Sequence, residues 1–208
     1  MMRVFLPPVA LALAACGSDY QPEVPKAEAQ AASGRTETAI FAGGCFWCTE
    51  ADLEKVPGVT AAVSGYTGGT TADPTYERVS AGGTGHYEAV RVSYDPARVS
   101  YGELARYFVR TVDPTDAGGQ FCDRGESYRT AIFAADPAQR AAAQAVLADA
   151  GKALRRPLAT PVLPATRFTP AEDYHQDYAK KNTLKYNFYR SRCGRDARLA
   201  EVWGSKVG

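Results

Sequence analysis

The sequence has no charge of one sign to spare: Lys and Arg number 24 against 23 Asp and Glu in 208 residues. Without a basic surplus there is no electrostatic footprint for nucleic acid or for an anionic membrane surface, so the expected partner is a small group or a protein. Histidine is scarce as well, and His86 and His175 stand alone in the chain. Cys45 and Cys48 have the spacing of zinc ligands, but no second close Cys/His pair follows to complete four-fold coordination. There is no internal repeat, and the apolar run near the start is too short to span a bilayer.

That apolar run is informative in its own right. Residues 1–15 offer a short basic start at Arg3 and then an apolar stretch broken only by Pro7 and Pro8, which reads as an export signal. It ends in Leu13-Ala14-Ala15-Cys16-Gly17, which resembles the processing box of bacterial lipoproteins, where cleavage leaves a lipidated Cys16. Gly17 after the cysteine favours the outer membrane on that resemblance. The expected location is therefore the periplasm, with contact to a membrane only through the lipid. Residues 16–35 are poor in bulky apolar side chains and read as a disordered tether. Residues 36–208 suffice for one domain with a proper core. With Cys16 set aside, Cys45, Cys48, Cys122 and Cys193 remain. In an oxidising compartment the plain reading is one or two structural disulfides, and four cysteines allow three pairings.

Within the domain, residues 38–42 form a short β-rich run, and Gly43-Gly44 permits a sharp entry into a helix. Phe46, Thr49, Leu53 and Val56 then recur at helical spacing until Pro57-Gly58. Residues 59–66 predict a second strand and residues 70–85 a loop. Residues 85–94 alternate as a strand with Glu88, Val90, Val92 and Tyr94 on one face. Ser100 and Glu103 form a capping box for a helix over Leu104, Tyr107, Phe108 and Val112. A strand over residues 128–133 follows, then a helix opened by Asp136-Pro137 and running to about residue 153. A last helix is expected over residues 169–181, with a flexible basic tail carrying Cys193. This order predicts an α+β two-layer sandwich with a split β-α-β, ferredoxin-like core, a mixed sheet and an extended C-terminal tail. A doubly wound parallel sheet would want a helix between Gly68 and Gly85, where period and propensity are both lacking.

Chemistry concentrates at two places. A thiol at a helix start faces unpaired N–H groups and the positive end of the helix dipole, both of which favour the thiolate, so Cys45 is the candidate nucleophile. Cys48, one turn further in, reads either as a small apolar filler or as a second redox thiol. A glutamate on the apolar face of a strand must be neutral, paired or liganded. Glu88 is thus either a carboxylic acid ready to give a proton or one half of a buried salt bridge to Arg129 or Arg91. Trp47 lies off the Phe46, Leu53 and Val56 face, so one of the aromatic pair should turn toward the mouth of the site, where it would suit a small, apolar, sulfur-bearing substrate.

Gly44-Cys45-Phe46-Trp47 resembles the signature of the A-type peptide-methionine sulfoxide reductases, which reduce the S epimer of methionine sulfoxide. The resemblance continues in family order through 65–69, 73–76, 85–90, 94–96, 113–115 and 123–129, and covers roughly residues 40–204. It implies that Cys45 attacks the sulfoxide sulfur and that Glu88 protonates the departing oxygen, assisted by Tyr76 and Tyr128. Asp123 would orient the site, and Phe46 and Trp47 would hold the S-methyl group. The resulting Cys45 sulfenic acid must condense with a second thiol, for which the resemblance favours Cys193, with Cys48 as alternative and Cys122 as outsider. Many relatives carry Gly where this chain has Cys48. The implied substrate is methionine sulfoxide, free or in oxidised proteins, and the implied reductant is thioredoxin-like. The implied state is a monomer with neither metal nor organic cofactor. The rival reading is a thioredoxin-like thiol–disulfide oxidoreductase using Cys45 and Cys48, and the non-enzymatic one is a lipid-anchored binding module whose cysteines are all bridged.

Overall fold

The structure is a computed structural model that describes residues 20–26 and 34–204. Cys16 and the export segment lie outside the described residues. Along the chain run β1 (Glu37–Gly43), α1 (Phe46–Leu53), β2 (Val59–Thr67), α2 (Tyr76–Ser80), β3 (Tyr87–Tyr94) and α3 (Tyr101–Arg110). They are followed by β4 (Gly119–Gln120), β5 (Asp123–Arg124), β6 (Thr130–Ala134), α4 (Pro137–Leu154), β7 (Val162–Pro164) and β8 (Thr169–Pro170), and then by α5 (Tyr178–Lys181), α6 (Thr183–Arg192) and α7 (Arg195–Trp203).

Six strands form one mixed sheet in the order β7-β6-β1-β3-β2-β8, and β4 with β5 makes a separate ribbon. Every pair in the large sheet is antiparallel except β6 with β7, which rules out a doubly wound parallel sheet. Side-chain alternation explains why both faces are covered. Phe41, Val90, Val92, Tyr94 and Ile132 point into the larger core with Phe46, Leu53, Leu104 and Phe108 of the helices. The neighbouring residues Ala42, Ala89, Ala131 and Phe133 point the other way, onto a smaller cluster with Leu163 and Phe168. Glu88 shares the parity of Val90 and Val92 and therefore sits on the helix side.

Local signals set several boundaries as expected. Ser100 and Glu103 make the reciprocal capping box of α3, and Asp136 accepts from Gln139 N–H at the start of α4, with Pro137 in the first turn. Other expectations are corrected. The stretch read as a loop holds α2, capped by Thr75. The helix expected over residues 169–181 is interrupted: Thr169–Pro170 is a strand, Asp173–His175 a 3-10 turn, and only Tyr178–Lys181 is α-helical. The supposed extended tail is helical, as α6 and α7. Tyr20, assigned by composition to a tether, is buried and donates its hydroxyl to the Arg110 carbonyl. No described helix is long and apolar enough to cross a membrane.

Candidate active site

The turn from β1 into α1 sets the position of Cys45. Gly44 takes φ +79°, and a Cβ there would lie 2.5 Å from Gln120 Cβ, so both conformation and space demand glycine. Cys45 stands at the N-cap of α1, and its side chain makes no capping hydrogen bond to the helix. Its sulfur lines a cavity of about 80 Å³ together with Phe46, Trp47, Tyr76, Glu88, Asp123, Tyr128 and Tyr189. A cavity needs only about 10–15 Å³ of such space to admit one water, so this one has room for a small group. All seven residues singled out as the reaction centre (Cys45, Phe46, Trp47, Tyr76, Glu88, Asp123 and Tyr128) meet in this one place.

Glu88 comes up from β3 opposite Tyr66 of β2 and is 2% exposed. No cation among the described residues pairs with it. Arg129 lies by Glu126 and over the Tyr87 ring, and Arg91 lies over Phe168, which removes the salt-bridge alternative. Among the described residues Glu88 accepts one hydrogen bond, from the Phe46 N–H, at 3.0 Å to Oε2. Burial pushes the Glu88 carboxyl up to about 8, against that hydrogen bond and with help from the negative charges of Asp123 and Cys48. At neutral pH the group holds its proton.

The thiol behaves differently from what its place at a helix start suggests. Burial drives the Cys45 thiol well above its ordinary range, and the neighbouring Cys48 and Glu88 add to the effect. Three donors at the helix start are used elsewhere: Phe46 N–H serves Glu88, and Cys48 and Thr49 N–H serve the Cys45 carbonyl. Only the Tyr189 hydroxyl, within hydrogen-bonding reach, favours the Cys45 anion. Cys48 is buried behind Cys45, and its thiol is brought down to about 7 by the contact with Cys45 and by Arg195 and Arg190.

Cys193 is not on a mobile tail: it ends α6 and is disulfide-bonded to Cys122, with Cα atoms 4.9 Å apart. Among the described residues Cys45 and Cys48 are the free thiols. The binding-module reading, which needs every cysteine bridged, fails here. Two groups of possible metal ligands occur among the described residues. Cys122, Asp123 and Cys193 are closed off by the disulfide. Glu50, Glu54 and Asp177 already serve Ser64, Lys180 and one another's backbone.

Residues 37–207 match the model of a family described as peptide methionine sulfoxide reductase. The chain belongs to that family. A peptide methionine sulfoxide reductase MsrA 2 from Caulobacter vibrioides is 57% identical over 174 residues, covering 83% of this chain and 88% of the relative. Another of the same name from Rhizobium meliloti is 51% identical over 177 residues, or 85% and 88%. Among solved structures, methionine sulfoxide reductase A of Corynebacterium diphtheriae superposes with a TM-score of 0.69 at 35% identity, covering 73% of this chain and 78% of that one.

The pocket of this reductase also recruits residues that sequence reasoning passed over. Tyr189 of α6 lines it and donates a hydrogen bond to Asp123, whose carboxyl is raised mainly by burial. His175 accepts from Trp47 Nε1 at 3.0 Å through Nδ1, which places its proton on Nε2 and keeps the ring neutral, in line with burial lowering its basicity. Trp47 stacks flat on Tyr178, with ring centres 3.7 Å apart. Glu172 accepts from the Tyr66 hydroxyl and from Tyr76 N–H, both at 2.9 Å, and so anchors the start of α2. The aromatic spacing of residues 174–189 was the available signal, but a basic tail was the simpler reading of it.

Proposed function

We propose that the protein reduces the S epimer of methionine sulfoxide, free or within proteins, in a thiol-dependent cycle. The Cys45 sulfur attacks the sulfoxide sulfur while Glu88 passes its proton to the sulfoxide oxygen, which also receives hydrogen bonds from Tyr76 and Tyr128. Two electrons move from the Cys45 sulfur to the substrate sulfur, the oxygen ends on Cys45 as a sulfenic acid, and methionine leaves. Phe46 and Trp47 hold the S-methyl group, and Asp123 steadies the wall through Tyr189. A second thiol then attacks the sulfenic sulfur, water departs, and a disulfide forms that a thioredoxin-like dithiol reopens. Cys193, once freed from Cys122, is the thiol assigned to this step. The observation that carries the reading is a proton-bearing carboxyl group and a thiol lining one cavity of about 80 Å³. An assay on resolved R and S epimers of a methionine sulfoxide peptide tests it: turnover of S alone is expected, and equal turnover of both would sink it.

Two further readings belong here. The core is a split β-α-β sandwich, supported by the central order β6-β1-β3-β2 with α1 and α3 as the crossings. The protein is exported and lipid-anchored in the periplasm through Cys16, at the outer membrane, as residues 1–17 suggest. Incorporation of labelled palmitate, abolished in Cys16→Ala, is the check.

A further inference from the structure

Beneath the nucleophile lies a buried charge cluster that the reaction as written leaves unused. Arg195 is 1% exposed and reaches a single carboxylate among the described residues, Asp52, at 3.8 Å from Nε. That Asp52 is already shared: Arg190 Nη1 binds both of its oxygens, at 3.1 and 3.0 Å, and Lys55 Nζ binds one at 2.8 Å. Arg190 has Asp196 as a second partner at 2.7 Å, whereas Arg195 donates otherwise to the Thr111 carbonyl, lies over the Phe121 ring at 4.5 Å and leaves its Nε with no hydrogen bond. A buried guanidinium with a fraction of one carboxylate calls for a further anion. Cys48 stands one helical turn before Asp52 on α1, on the same face, and packs with Cys45 and Tyr186. The groups facing it are Cys45 and Asp52 on its own helix, Tyr186, Tyr189 and Arg190 from α6, Arg195 from α7, and Glu88 from β3. Of these only the two arginines carry positive charge, and Asp123 is a more distant neighbour of Arg195.

Building on the reductase reading, we propose that Cys48 is the base that activates Cys45: held as a thiolate by the charges of Arg190 and Arg195, it accepts the Cys45 Sγ proton as the Cys45 sulfur attacks. One S–H bond breaks on Cys45 and one forms on Cys48, with no change of oxidation state in that transfer. A base that titrates close to neutrality is matched to this task, and its neighbour Cys45 is the thiol that most needs one. The arrangement also keeps the two functions of the pocket apart, because the proton for the sulfoxide oxygen comes from Glu88 and the proton of the nucleophile goes the other way.

Single-turnover methionine release from an S-sulfoxide peptide, followed across pH, tests the proposal. In the wild type the rate should rise with pH to an inflection near that of Cys48, about 7. Cys48→Ser should still release one methionine per enzyme, but at least tenfold more slowly at neutral pH, with the inflection moved up by a full pH step or more. Arg195→Met, which leaves Cys48 in place, should move the inflection the same way, and Arg195→Lys should restore part of it. A Cys48→Ser profile that keeps the wild-type inflection overturns the proposal, whether its rate is unchanged or uniformly lower. So does a variant slowed only in disulfide formation after methionine has left, since that would make Cys48 a capturing thiol. Failure of the wild type to release methionine at any pH would instead sink the reductase reading itself.

Discussion

Replacing Glu88 with Gln should stabilise the fold and slow the reaction under the same conditions. The Glu88 carboxyl moves from an ordinary 4.5 to about 8 on folding. Between those two values the folded protein keeps a proton that the unfolded chain has lost, so the free energy of unfolding falls as pH rises. Each pH step in that interval costs about 1.4 kcal/mol. The wild type therefore gives up about 3 kcal/mol by neutral pH and about 5 kcal/mol by pH 8, relative to acid. The Gln side chain never ionises and can still accept from Phe46 N–H, so Glu88→Gln escapes this loss. Denaturant unfolding of both proteins at about pH 4.5, 7 and 8 reads the effect: near-equal stabilities in acid, and a gap in favour of the variant that opens as pH rises. In single-turnover methionine release the same variant should lose roughly 10²–10⁴-fold at neutral pH, with a smaller deficit in acid, where solvent protons take over. It should also lack the fall in rate expected of the wild type above pH 8. A stability difference that stays flat with pH would mean that Glu88 ionises normally in the fold, and the proton-donor argument would collapse with it.

Cys193→Ser should release one equivalent of methionine per enzyme and then stall, leaving a sulfenic acid on Cys45 that dimedone labelling detects; sustained turnover with a dithiol reductant of protein size would assign the second thiol elsewhere. Gly44→Ala should destabilise by roughly 2–5 kcal/mol, combining left-handed backbone strain with the clash against Gln120, as denaturant unfolding would show. Tyr189→Phe removes the hydroxyl that favours the Cys45 anion and binds Asp123, so the pH midpoint of Cys45 alkylation should move upward; an unmoved midpoint would make Tyr189 a packing residue only.

What the chain disclosed in advance was what its neighbours in sequence determine. The turn at Gly43-Gly44, the face of β3 that carries Glu88, the Ser100–Glu103 box and the Asp136 cap all rest on contacts within a few residues. The misses lie where distant contacts decide. Helix α2 starts where it does because Glu172, 96 residues away, accepts the Tyr76 N–H. The helix expected up to residue 181 is broken at Asp177, which takes a positive φ of 54° while its N–H donates to Glu50. Helix α6 has one buried side chain, Tyr186, so no apolar stripe announces it, and Arg190 ties it to Asp52 across 138 residues.

These distant contacts matter for the chemistry as well as the shape. The reaction needs a carboxyl group that keeps its proton and, within the same small pocket, a sulfur that gives its proton up. Burial alone cannot supply both, because desolvation favours the neutral form of each. The helix start, which position suggests as the remedy for Cys45, has its donors committed to Glu88 and to the Cys45 carbonyl. The charges that can separate the two groups are Arg190 of α6 and Arg195 of α7, which bear on Cys48 beside the nucleophile and are not among the causes that set the Glu88 carboxyl. The segment that reads as a plain basic tail is therefore where the asymmetry of the site originates, and its arginines act by where they are folded rather than by how many there are.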